Sequence, residues 1–298
     1  MGDSSIELFG TRLKNPIMNA SGTLGYGREI EPLWDVGILG AFVTKGLSLR
    51  PYRGNTPPRV REGRGFLLNR IGLQNVGLQR FLEEHVPFFK QKGIPIMVNF
   101  FGSTEEEYVA FAAAIIEDPI FFALEMNVSC PNVDSSGLSF GRDATSIARL
   151  TKAVKAASRL PVVVKLSPAV KDLLEAAIAA EEAGADGITV FNTIPSCEIE
   201  EGRLLSFGLS GPPLKPVTLR AVSELSRAVK IPIIGAGGIM DLEDALSFLL
   251  AGARAVQVGT ATFVDPYTIP RIIRGLSAYL EERRIDVTEL GGRLHGDS

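Results

Sequence analysis

The sequence predicts a single (β/α)8 TIM barrel with long loops at the C-terminal face of its strands. Three observations predict it: eight short apolar segments recur along the chain, helical patterns separate them, and polar residues end the segments on what would be one common face. In order the segments are PIMNA near Ile17, AFVTK near Phe42, IPIMVNF near Met97, FFALEMN near Leu124, PVVVKLS near Val164, GITVFN near Thr189, IPIIGA near Ile233 and AVQVG near Val256. Each is nearly continuous in apolar residues, as a parallel strand covered on both faces requires. Proline opens three of them, at Pro95, Pro161 and Pro232, where a strand tolerates its missing N–H.

The clearest helices are VKDLLEAAIAAEEAG and MDLEDALSFLLAG; in the second, Asp241 suits the N-cap and Gly252 the stop. The junctions AGADGITV (Ala183 to Val190) and AGARAVQV (Ala251 to Val258) nearly repeat one another, so one helix-to-strand unit is used twice. Eight such units favour a closed barrel over an open sheet. No linker or shift in composition marks a second domain. The long connections, Gly46 to Gly93, Val128 to Ala144 and Thr193 to Pro216, read as loops forming lids and pocket walls.

Composition narrows the function. The 298 residues are 45% hydrophobic, ample for a core, and 31 Lys plus Arg against 34 Asp plus Glu leave a net charge of -3. That balance carries no electrostatic footprint for nucleic acid or an anionic membrane, so a small molecule is the expected partner. Cys130 and Cys197 are too few for a disulfide framework or a four-thiolate metal site. No secretory pattern opens the chain, Ile6 stands where a myristoylation signal needs Ser or Thr, and no run of about 18 apolar residues occurs. A soluble, cytoplasmic protein is expected.

The run NVSCPNV, Asn127 to Val133, breaks an apolar strand with reactive groups. Asn127 and Asn132 offer amide donors and acceptors, and Cys130 a thiol able to act as nucleophile, base or metal ligand. Polar residues also end the other segments: Ser21, Lys45, Asn99, Lys165 and Asn192. One such residue could merely cap a strand, but six on one face point to a site. Lys165 follows three buried aliphatics, where an ammonium is costly without a partner. Gly237 and Gly238 in GAGGI, with Gly259 and Thr260 in VGT, place backbone N–H groups after strands 7 and 8, where barrels commonly bind phosphate. Met240 occupies the position a third fingerprint glycine needs, so a phosphate-bearing cofactor is expected without a dinucleotide fold. Cys197 lacks flanking amides and reads as incidental; His85 and His295 lie on no strand end, which argues against histidine catalysis.

Together the motifs NPIMNASGTLGYG, TKGLSLRP, NTPPRV, NRIGLQNVG, VNFFG, NVSCPNV, FGRDA, VKLSP, FNT, LSGPPLKP, GAGGI and VGTATFVDP closely resemble the class 1 dihydroorotate dehydrogenases, specifically the class 1B catalytic subunit. The resemblance spans about Asn15 to Pro266, and a cysteine rather than a serine in NVSCPNV points away from the membrane-associated class 2 enzymes. It implies that residues 1–298 form one FMN-binding barrel domain, with one FMN per chain, that oxidises (S)-dihydroorotate to orotate in pyrimidine biosynthesis. Cys130 would remove the C5 proton as hydride passes from C6 to FMN. FMN would meet Ser21, Lys45, Gly46, Asn99, Asn127, Lys165, Phe191, Gly211, Gly237, Gly238, Gly259 and Thr260. The pyrimidine would meet Lys45, Asn69, Arg70, Ile71, Gly72, Leu73, Asn127, Asn132, Asn192 and Thr193.

The resemblance further implies a homodimer assembled into a heterotetramer with a subunit carrying FAD and a 2Fe–2S cluster, through which electrons reach NAD; no metal is expected in this chain. The sequence departs from the family after Thr193, where Ser196 and Cys197 replace a glycine and a hydrophobic residue, the stretch up to LSGP is shorter, and Phe207–Gly208 replaces a glycine pair. These changes flank the pyrimidine site. The alternatives they leave are an FMN barrel acting on another dihydropyrimidine and a non-catalytic barrel subunit.

Overall fold

All eight apolar segments form strands in the computed structural model, which describes residues 2–128 and 141–291. They are β1 (Ile17–Asn19), β2 (Phe42–Val43), β3 (Ile96–Phe100), β4 (Phe121–Asn127), β5 (Val162–Lys165), β6 (Gly187–Val190), β7 (Ile233–Ala236) and β8 (Ala255–Val258). Paired in parallel in the order β1-β8-β7-β6-β5-β4-β3-β2, they curl until the two ends meet. At that seam Met18 bridges Ala41, and Gly40 N–H donates to Ile17 O at 2.9 Å. Beyond it a side chain completes the ladder. The Asn19 amide donates to Val43 O at 2.8 Å, and Asn19 Oδ1 accepts from Val43 N–H at 2.9 Å. A carboxamide carries the same donor and acceptor as a peptide group, so it satisfies two buried backbone groups that would otherwise stay unpaired.

Helices follow seven of the strands, and three begin on an aspartate whose carboxylate accepts a backbone N–H of the first turn. Asp143 caps Ala144–Ala157, Asp172 caps Leu173–Glu182, and Asp241 caps Leu242–Leu250, as its sequence position predicts. Apolar residues at helical spacing, such as Ile147, Leu150 and Val154, bury against the barrel. The first connection differs from the expected unit. Between β1 and β2 only a 3-10 turn, Val36–Ile38, is found, because the stretch SGTLGYGREIEP lacks an apolar 3.6-residue period.

The hairpin Ile6–Leu8/Thr11–Leu13 lies at the N-terminal end of the barrel, with the Phe9 ring 6.3 Å from that of Phe122. At the opposite end, two of the predicted long loops hold regular structure instead. Val60–Gly63 pairs with Phe66–Asn69, Ile194–Glu200 pairs with Arg203–Ser210, and the Gly208–Asn69 register joins both hairpins into a four-stranded antiparallel sheet. Burial alternates along Ile194–Glu200, and Arg61 bridges Glu198 at 2.8 Å and Glu200 at 2.6 Å. The walls of the mouth are thus a sheet, and the reading of these connections as plain loops is corrected. The third long connection lies largely outside the described residues, and with it Cys130 and Asn132. No helix among the described residues is long and apolar enough to cross a membrane.

Candidate active site

Alternation along the strands turns every second side chain into the barrel, and near the mouth those side chains are polar. Register places Glu125 of β4 beside Asn99 of β3, and Lys165 of β5 beside Thr189 of β6. Glu125 is wholly buried and accepts from four side chains. Its Oε2 takes Asn99 Nδ2 at 2.6 Å and Lys165 Nζ at 3.3 Å; its Oε1 takes Thr189 Oγ1 at 2.7 Å and Gln257 Nε2 at 2.6 Å. Gln257 Oε1 in turn accepts from Lys165 Nζ at 3.0 Å. The ammonium that the sequence made costly at this strand end therefore has a counter-charge and an amide acceptor, and it is no solvated lysine.

Above this layer opens a cavity of about 520 Å³, within the ordinary range for a small-molecule site. The twelve residues expected around a phosphate-bearing cofactor all line it, as do Asn69, Arg70, Ile71, Gly72, Leu73, Asn192 and Thr193. Two glycines on its wall stand close to neighbouring groups. Gly238 has φ +80° and approaches the start of helix Lys215–Ala228 so closely that a Cβ would lie 2.3 Å from Lys215 N. A Cβ on Gly46 would stand 3.1 Å from Asn99 Oδ1. That oxygen is buried and has no hydrogen-bond partner, an unused acceptor on a residue of the cavity lining.

The rim supplies cations and amides. Burial pushes the Lys45 ammonium below the usual lysine range, with Glu29 acting against that shift, and its Nζ lies 5.9 Å from the centre of the Tyr26 ring. A bound anion would reverse the depression. The Arg70 guanidinium stacks 5.8 Å from the centre of the Phe207 ring, and its buried Nε has no acceptor. Tyr108 donates to Asn127 O at 2.7 Å, while Asn192 Nδ2 donates to Asn127 Oδ1 at 3.3 Å, fixing two strand-end amides against each other. Among the described residues, no cluster of three His, Cys, Asp or Glu could hold a metal ion.

Sequence reasoning missed Glu125, Thr189 and Gln257. A signal was present. A lone carboxylate in FFALEMN and a lone amide in AVQV sit inside otherwise apolar strands, where each must find buried partners.

A closed parallel barrel with a polar, cation-lined cavity at the C-terminal ends of its strands defines a TIM-barrel enzyme. The family model for dihydroorotate dehydrogenase matches residues 4–280, and the chain belongs to the dihydroorotate dehydrogenase family of oxidoreductases. It is similar to the catalytic subunit of dihydroorotate dehydrogenase B (NAD(+)) of Trichlorobacter lovleyi, 48% identical over 98% of each chain. The protein of the same name from Desulforamulus reducens is 50% identical over 94% of this chain and 95% of its own. That from Geobacillus kaustophilus is 49% identical over 98% and 96%.

Proposed function

We propose that this chain is a cytoplasmic, FMN-dependent enzyme that oxidises (S)-dihydroorotate to orotate, acting as one barrel domain. The observation that supports this most is the meeting, in a single cavity, of every described residue expected around cofactor and pyrimidine. The cavity suits a flavin. Asn99 Oδ1 is an orphan acceptor for a ring N–H, and Gly237 and Gly238, both at positive φ, put backbone without side chains on the cavity wall beside the start of helix Lys215–Ala228, where a phosphate could be held. Ser21, Lys45, Gly46, Asn99, Asn127, Lys165, Phe191, Gly211, Gly237, Gly238, Gly259 and Thr260 would hold FMN. When bound, it supplies the acceptor for the hydride leaving C6 of the substrate.

The residues of the chain do the rest. Lys45 and the Arg70 side chain present positive charge to the substrate carboxylate, and Asn127 and Asn192 present amides to its ring. Lys165, held by Glu125 and Gln257, fixes a positive charge where negative charge develops on reduction. Cys130 takes the C5 proton as thiolate, with Asn132 two residues further along the sequence. Electrons would then leave to NAD through a partner subunit with FAD and a 2Fe–2S cluster, in a heterotetramer built on a dimer of this chain.

Anaerobic addition of dihydroorotate to the purified, flavin-loaded protein should bleach its visible absorption, and dihydrouracil should not. A flavin that stays oxidised with dihydroorotate overturns the reading. Cys130→Ala should keep flavin while slowing bleaching by about two orders of magnitude or more, the usual scale for a general base.

A further inference from the structure

We propose that Glu125 is a positioning residue that sets the hydrogen-bond polarity of the cavity floor, so that the site presents an acceptor, Asn99 Oδ1, beside the Lys165 ammonium. The proposal rests on the FMN reading. Its basis is a satisfiability argument. Four donors converge on Glu125: Asn99 Nδ2, Lys165 Nζ, Thr189 Oγ1 and Gln257 Nε2. An ionised carboxylate is acceptor-only and takes all four. Because Asn99 must turn its Nδ2 to that carboxylate, its Oδ1 is left on the other side, buried and unpaired, next to Gly46 of the cavity lining. A carboxamide has one face that accepts and one that donates.

The consequence is specific. In Glu125→Gln, an amide nitrogen placed toward Asn99 and Lys165 meets two donors, and Asn99 relieves the conflict by flipping its own oxygen inward. Placed the other way, it would leave Asn99 as it is, but Thr189 must then reverse its hydroxyl and lose its acceptor, and Gln257 must flip and set its nitrogen against Lys165 across 3.0 Å, closer than the 3.3 Å contact between Lys165 and residue 125. The first arrangement opposes donors across the longer contact and keeps the Thr189 and Gln257 bonds, so it is the one E125Q adopts, with Asn99 flipped. The edge of a flavin ring carries an N–H between two carbonyls. Asn99 Oδ1 matches that N–H, whereas a flipped or released Asn99 does not.

The test is the ratio of affinities for FMN and for FMN methylated at ring N3, measured by fluorescence quenching on apoprotein. Wild type should prefer FMN by about tenfold or more, the scale of one buried hydrogen bond. In E125Q that preference should collapse to near unity. A purely structural role for Glu125 would weaken both ligands alike and leave the ratio unchanged, which overturns the proposal. Wild-type apoprotein that takes up no FMN overturns the cofactor reading, and the proposal with it; uptake by wild type with an unchanged ratio in E125Q overturns only the role of Glu125. Should E125Q not fold, Glu125→Asp decides. It keeps a buried acceptor-only carboxylate but withdraws it by one methylene, so Asn99 is released and the ratio should fall; a wild-type ratio in E125D overturns the proposal.

Discussion

Lys165 and Glu125 form a single buried charge pair on which stability should depend. Their side chains are 5% and 0% exposed, so neither charge is screened by water, and each depends on the other and on neighbouring amides. Lys165→Met should therefore destabilise the apoprotein by about 3–5 kcal/mol, the usual result of removing one partner of a buried pair. Adding Glu125→Gln should restore part of that loss in urea unfolding. Simple addition of the two single-mutant losses would show that the charges are not coupled. His85 gives a separate prediction on pH. Burial lowers its pKa, its Nδ1 has no partner, and its ring stacks 4.1 Å from that of Tyr26. Below the ordinary value of about 6.5 the unfolded chain binds a proton that the native chain resists, so stability should fall as pH drops from there toward the depressed native pKa. In His85→Phe, urea midpoints measured from neutral to mildly acid pH should show a shallower decline. An unchanged slope would assign the acid sensitivity to other groups.

At the scale of elements, the barrel is closed by an asparagine. Asn19→Leu fills the same buried position but leaves Val43 N–H and Val43 O without partners, and should cost about 2–5 kcal/mol in urea unfolding, for two unsatisfied buried groups. A loss below about 0.5 kcal/mol would mean that the β1–β2 seam does not depend on this side chain. The eight strands were legible because a parallel strand buried on both faces is apolar along most of its length. The sheet over the mouth was not, for the opposite reason. Its strands VREG and FLLN are both short, VREG is broken by charge and glycine, and the ladder that holds them runs from VREG to FLLN and from FLLN to Arg203–Ser210, over a hundred residues away in sequence. Only the alternation in IPSCEIE, followed by the turn Glu201–Gly202 with both φ positive, announces a hairpin locally. Strand-end residues such as Lys45 and Asn99 were legible by position. Glu125 escaped notice because strand reasoning averages over a segment, and one carboxylate in seven residues hardly changes the average. Its meaning appears only when Asn99, Lys165, Thr189 and Gln257 are brought together from four other strands.

For the molecule as a whole, the proposed chemistry raises the question of where the electrons go. The chain has two cysteines, no dinucleotide fingerprint, and at its strand ends a cavity of about 520 Å³ that flavin and pyrimidine would share. Nothing in GAGGI can serve a dinucleotide, since Met240 stands where close helix packing needs glycine. Oxidation of substrate and delivery to NAD should therefore separate physically. With the isolated chain, dihydroorotate should bleach the flavin within the mixing time of an anaerobic experiment, and NAD added afterwards should not restore the colour. A small soluble one-electron dye, able to approach the mouth, should restore it. Addition of the proposed FAD and iron–sulfur partner should make NAD an effective oxidant, and the complex should elute ahead of the isolated chain on size exclusion. Rapid recolouring by NAD alone would place a nicotinamide site on this chain and remove the need for a second subunit.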